Sequence, residues 1–326
     1  MAHPAVSKAG TMNRDLRPVK TEVEIAHELT NTKSGSLAER IIGLILMVCG
    51  IFSILTTVGI VFILAEEALK FFADVSVIDF LTGTTWTALF QNPQFGVLPL
   101  VTATLLISVL AMVVAIPIGL LCAIFLSEYA PPRVRAVLKP VMELLAGIPT
   151  IIYGYFALTF ITPDLLKPVI PGTEVYNALA AAIAVGIMIV PLVASLSEDA
   201  LSAVPRALRE GAYGLGATKM EVSLRVVTPA ALSGIIASFV LAISRAFGET
   251  MIVAVAAGLR ANMSADPRQG METMTSYMVQ VFTGDVVAGS TVYQSLFAVG
   301  FLLFIITLAM NIFSNFLVSR FREAYD

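Results

Sequence analysis

Long unbroken apolar runs dominate this chain more than any helical or strand period. Six stretches reach the roughly 20 residues a helix needs to cross a bilayer core: 41–65, 97–127, 141–162, 177–197, 230–259 and 295–319. The first, second, fourth and sixth carry no charge, the third holds only Glu143, and the fifth holds Arg245 and Glu249. Prolines punctuate three of them: Pro117 kinks or tilts the second, Pro191 lies near the end of the fourth, and Pro149 falls mid-way along the third, where it breaks a helix. The pattern predicts an all-α, polytopic membrane protein with six transmembrane helices.

The polar segments between the runs set the expected orientation. Of the 20 Lys and Arg residues, only Lys70, Lys167, Arg260 and Arg268 fall on one set of loops, and Arg245 lies inside a span. All the others fall on the opposite set, with both chain ends, so that side reads as cytoplasmic. The expected organisation is a tail over 1–40, a permeating domain over 41–320 with a long cytoplasmic loop at 198–230, and a short end at 321–326. The opening 40 residues are polar and basic and read as a cytoplasmic tail, partly ordered around 19–29, rather than a cleavable signal peptide. In the outer loops, 66–96 holds the single tryptophan, Trp86, near Phe80 and Phe90 and suits a small interfacial helix, while 271–281 is helix-compatible. Interface anchoring, loop packing or an external partner would all account for them.

Composition agrees with a chain that mostly avoids water: 57% hydrophobic and only 13% charged, with a mean hydropathy of +0.88, where soluble domains carry about 25% charged residues. Cys49 and Cys122 sit in apolar runs and read as small buried hydrophobes, with neither disulfide nor metal spacing. His3 and His27 lie in the tail, which argues against a histidine-based centre. No nucleophile–base set, metal cluster or cofactor motif stands out, which speaks against an enzyme; no nucleic-acid partner is expected, and lipid is.

The loop at 198–230 is the most informative polar segment. Residues 200–213 suit one short helix and 219–227 a second, with Gly214 and Gly216 between them and Pro229 closing the second. Such a unit presents Arg206, Arg209, Glu210, Lys219 and Glu221 to water and leaves apolar Leu208, Ala212, Tyr213, Leu215 and Met220 with no membrane to enter. It reads as a helix that fills a groove on another protein, against the plainer reading of an amphipathic connector. The glycines do not form a nucleotide loop, because 211–219 lacks the G-x-x-x-x-G-K-[ST] order and follows no strand.

Glu210-Gly211-Ala212, then Gly216, then Val226 and Pro229 resembles the E-A-A…G…I-x-L-P loop of binding-protein-dependent ABC permeases, with every spacing kept. Gly211, Val226 and Thr228 are the departures. The resemblance implies a loop that couples to a separate ATPase, with Glu210, Gly211, Ala212, Gly216 and Pro229 in that role and Gly216 making the turn. The family likeness also implies a MetI-like fold and no cofactor on this chain, ATP and magnesium being used by the partner.

Arg245 and Glu249, four residues apart on a continuous helix, would share one face. A lone ion at the centre of a span costs at least about 2.5–3.5 kcal/mol, so such groups face a cavity or a partner. An intrahelical ion pair that neutralises itself or fixes packing is the plainer reading. A guanidinium fork suits an oxyanion, a carboxylate would hold it, and Ser244, Gly248 and Thr250 would allow close approach. The run Ser244-Arg245-Ala246-Phe247-Gly248-Glu249-Thr250 is similar to the R-A-x-G-E-T segment of phosphate importer permeases, and 143–154 is similar to their third-helix segment, the wording being nearer the PstC type than its PstA partner. This implies that Arg245 and Glu249, with Ser244 and Thr250, line the phosphate path. It also implies a second PstA-type permease, two PstB-type ATPase subunits and a PstS-type external phosphate-binding protein. A sulfate or molybdate permease shares the loop, and an ion-coupled secondary transporter would use Glu249 but leave the loop unexplained. Glu143 reads as an acid in the first turn of its span, favoured there by the helix dipole.

Overall fold

The computed structural model describes residues 37–321. The tail, including 19–29, and the last residues of the C-terminal segment lie outside them. The chain divides at residue 60 into two compact units. The described part of the first is a stretch of α1 (Leu37–Asp74) whose side chains from 39 to 58 are all exposed. Cys49 is among them, so it is not the buried hydrophobe its apolar run suggested.

In the second unit α3 (Leu98–Ile124) runs through Pro117 without a break and packs along α6 (Ala178–Ser202). α6 buries Ala178, Ala180, Ala181, Ala182 and Ala184, and the two helices come so close that a Cβ at Gly186 would stand 2.8 Å from Val114 Cβ, and one at Gly119 2.7 Å from Val193 Cβ. Between apolar spans no hydrophobic effect drives association in lipid, so small side chains that let backbones approach supply the packing. α6 runs on to Ser202, so residues 198–202 are its last turn and not loop.

Four helices in the described residues are long and apolar enough to cross a membrane, and two bent pairs bring the total to as many as six. The first pair is α4 (Pro132–Ala146) and α5 (Thr150–Val169), bent by 87°. Pro149 breaks the chain there as expected, so the run from Val141 is not one continuous helix. The amphipathic α4 buries none of its residues within the chain. Glu143 therefore lies in the last turn of α4 and not in the first turn of a span, which removes the dipole argument for it. The second pair is α8 (Lys219–Ala230) and α9 (Leu232–Phe247), bent by 71°. Pro229 lies inside α8, and the bend follows Ala230.

Apolar clusters close both ends of α3. At its start, Phe71, Phe80, Trp86 and Tyr277 pack edge to face, with α2 (Val77–Thr82) and α11 (Met274–Thr283) contributing. Trp86 is thus buried packing and not an interface anchor. At the other end Ala123, Leu201, Val204, Val222 and Val227 hold the 206–230 segment against α3 and α6. The last long helix, α12 (Thr291–Phe321), packs on α9 and α11.

Candidate functional site

The fifth apolar run is not one helix. α9 ends at Phe247, Gly248 to Thr250 interrupt it, and α10 (Met251–Ala256) continues. Arg245 and Glu249 consequently do not share a helix face, and no ion pair joins Arg245 to a carboxylate among the described residues. The reason is local: the Glu249 carboxylate turns forward and Oε1 accepts from the Met251 and Ile252 amides, both at 3.1 Å. These are amides that a helix start leaves without partners, and the acid caps them as Asp or Ser would at an N-cap. Thr275 Oγ1 donates to the Glu249 carbonyl at 2.7 Å, and Thr250 Oγ1 to that of Gly248 at 3.1 Å. Glu249 is 8% exposed and committed to the break.

Arg245 is the opposite case. It is exposed, and the hydrogen bond described for its guanidinium runs from Nε to Met188 Sδ at 3.3 Å. A thioether is a weak acceptor, so most of the five donors remain open. Ser244 is turned elsewhere, donating to Asn311 Oδ1 on α12 at 3.0 Å. Gly154 of α5 sits against α10 so closely that a Cβ there would stand 3.0 Å from Val255 Cβ and 3.2 Å from Ile252 Cα. The two broken spans thus meet beside the break. Of the four residues expected at this site, the structure leaves Arg245 exposed, uses Glu249 as a cap, and ties Ser244 to α12 and Thr250 to the carbonyl of Gly248.

The 206–230 segment keeps the helix–turn–helix form. Its first helix, α7 (Arg206–Gly214), starts after Pro205 and not at Ala200. Gly216 has φ of +85°, a conformation that suits glycine. Thr218 caps α8 in a box with Glu221, whose Oε2 accepts from the Thr218 amide at 2.9 Å. Those bonds hold the Glu221 carboxyl below the usual carboxylate range. Leu215 at the turn is 91% exposed, and Tyr213, Met220, Leu208 and Glu210 are exposed around it. Ala212 instead packs inward on the apolar cluster, so it is not part of the unused apolar surface, and Arg209 turns inward, contrary to the expectation that it faces water. Gly211 is open on every side.

The site thus combines an exposed turn with an apolar tip and a break in an apolar run beside an exposed guanidinium. Residues 115–323 match the family of binding-protein-dependent transport system inner membrane components. The chain belongs to that family. This permease is 34% identical over 259 residues to the phosphate transport system permease protein PstC of Mesorhizobium japonicum, covering 74% of this chain and 78% of that one. It is 31% identical over 304 residues to the probable ABC transporter permease protein YqgH of Bacillus subtilis, covering 92% and 98%. A bacterial alginate ABC transporter solved with its pentasaccharide-bound periplasmic protein superposes with a TM-score of 0.59 at 17% identity, over 87% of this chain and 94% of that one. The inward-facing MetNI methionine ABC transporter gives 0.52 at 18%, over 70% and 94%. The fold is that of a MetI-like ABC permease, and the chain is a multi-pass transport subunit of the bacterial inner membrane, not an enzyme.

Several polar groups of this permease escaped the reading of its sequence. Glu128 and Glu198, at the ends of α3 and α6, bind Arg209 and Lys139. Acids placed where apolar runs end were the only available signal. Met188 beside Arg245 carried none. Glu272, in the loop before α11, is 3% exposed, and its Oε1 has no hydrogen-bond partner. Burial pushes its carboxyl up to about 7.

Proposed function

We propose that this chain is the permease half of an ATP-driven phosphate importer. With a second, PstA-type permease it forms the path, with two PstB-type ATPases seated on the 206–230 segment and a PstS-type protein delivering phosphate from outside. The observation that carries the reading is Arg245: an exposed guanidinium at a break in an apolar span, with no carboxylate paired to it among the described residues. Leaving a cation open there is costly unless it faces a wet path and a cargo that binds it. A tetrahedral oxyanion fits its fork. The break supplies space, because Gly248 is exposed and adds no side chain.

In this reading the segment at 206–230 lies on the cytoplasmic side with both chain ends. Leu215 and Tyr213 fill a groove on the ATPase, Glu210 and Gly216 fix the angle of entry, and Ala212 holds the segment to the bundle. ATP and magnesium belong to that partner. ATP binding and the loaded binding protein favour one of two permease states, and their differential affinity shifts the population. The test is uptake by the reconstituted complex with phosphate, sulfate and molybdate in competition. Phosphate uptake that excess sulfate and molybdate leave unaffected is expected, and equal competition by either would move the cargo to oxyanions at large.

A further inference from the structure

A coupling segment is useful only if its movement reaches the spans, and one side chain stands at that junction. Arg209 is on α7, next to exposed Glu210, but faces the bundle. Its Nε and Nη2 donate to Glu128 Oε1 at 3.3 and 3.0 Å. Nη2 also donates to the Leu201 carbonyl at 2.8 Å, and Nη1 to that of Val204. Glu128 lies in the π-helical turn that ends α3, Leu201 in the last turn of α6, and Val204 in the linker to α7. The Arg209 and Glu128 side chains are 17% and 6% exposed, so water and salt compete little with the pair. The polar chain runs on. Ser127 Oγ is 3.2 Å from Glu128 Oε1 and 3.5 Å from Ser202 Oγ. Ser202 donates to Glu198 Oε1 at 3.1 Å, and Glu198 pairs with Lys139 of α4.

We propose that Arg209 is a positioning residue that locks the coupling helix to the ends of α3 and α6, so that the three move together when the ATPases close. This rests on the docking of the 206–230 segment given above. The other contacts of α7 with the bundle are apolar, through Ala212 and the cluster around Leu201, Val204 and Val222. Apolar contact is non-directional and lets helices slide. A planar fork held at one carboxylate and two carbonyls fixes direction as well as distance. Lysine offers a point charge and cannot hold all three acceptors in one plane.

The test uses the full complex in liposomes, measuring phosphate uptake and ATP hydrolysis on the same vesicles for Arg209→Lys, Glu128→Gln and Leu215→Asp. Arg209→Lys and Glu128→Gln are expected to keep the ATPase bound and hydrolysing while phosphate carried per ATP falls at least about fivefold, the lower end of ordinary coupling energies. A purely structural role would change the yield of complex and leave that ratio alone. An unchanged ratio in both variants overturns the proposal, and so does failure of both to assemble, which would make Arg209 a packing residue. Leu215→Asp reads the underlying docking: it is expected to release the ATPase. If it leaves the ATPase seated and coupled, the docking reading fails, whatever the Arg209 variants do.

Discussion

The turn at Gly216 and the break at Gly248 are both interruptions between two helices, yet they are built in opposite solvents. At the turn, water is available, and the local devices are the familiar ones: a glycine at positive φ, a Thr218–Glu221 capping box and an apolar residue left outside. At the break no water can be assumed, so every freed backbone group needs a partner from the protein or a lined cavity. Glu249, Thr250 and Thr275 provide these. Arg245 is left over, and it is left over because its neighbour's charge is spent on the cap. A charged pair in the sequence thus becomes two separate groups, one spent on a cap and one exposed.

The sharpest way to break this contrast is Arg245→Ala. Uptake by the assembled complex should fall about a hundredfold, the scale of losing charge-assisted bonds in a shielded site, while the purified complex keeps its subunits. Retained uptake would return Arg245 to packing. Glu272→Gln probes a buried acid that, unlike Glu249, has no amides to bind. Its carboxyl stands at about 7 against an ordinary 4.5. Below pH 4.5 folded and unfolded chains both hold the proton and stability is full. Between there and 7 only the folded chain holds it, so stability falls as pH rises and stays reduced above 7. The variant should therefore gain about 3 kcal/mol at pH 8 and nothing at pH 4, read as melting of the complex at both pH values. An equal gain at both would show that ionisation is not the cause.

Gly216→Val puts a branched side chain at φ +85° and should cost about 1–2 kcal/mol. On the proposed docking, it should also uncouple hydrolysis from uptake; a variant with normal coupling would separate the turn from the docking. The smallest effect belongs to Glu249→Gln. Its amide oxygen can still cap α10, so stability should drop by only about 1 kcal/mol, with uptake reduced far less than by Arg245→Ala. Equal loss in the two variants would join them again as a working pair.

How much of this was legible depends on which interactions decide each element. The apolar runs located the spans because transfer into lipid is a property of composition, and the E-A-A-like spacing located the turn because caps and glycine conformations are local. Arg209 and Ala212 lie in the same segment, and their inward orientation was not legible. It follows from where α3 and α6 end, at Glu128 and Leu201. The apolar run from Val141 passed without a gap from the last residues of α4 into α5. Only the 87° bend at Pro149 separates them.

The sequence by itself determined that this chain lives in a membrane, and that the polar stretch at 198–230 holds two short helices around a glycine turn with unused apolar surface. Tertiary structure alone decided that Glu249 binds two amides rather than Arg245, and that Arg209 grips the bundle rather than the solvent. The physical reason is one of range. Hydropathy, capping and turn preferences act within a few residues and are written in order along the chain. The partner of a buried charge is whichever donor or acceptor the packing of distant helices brings within 3 Å or so, and no spacing along the chain records that.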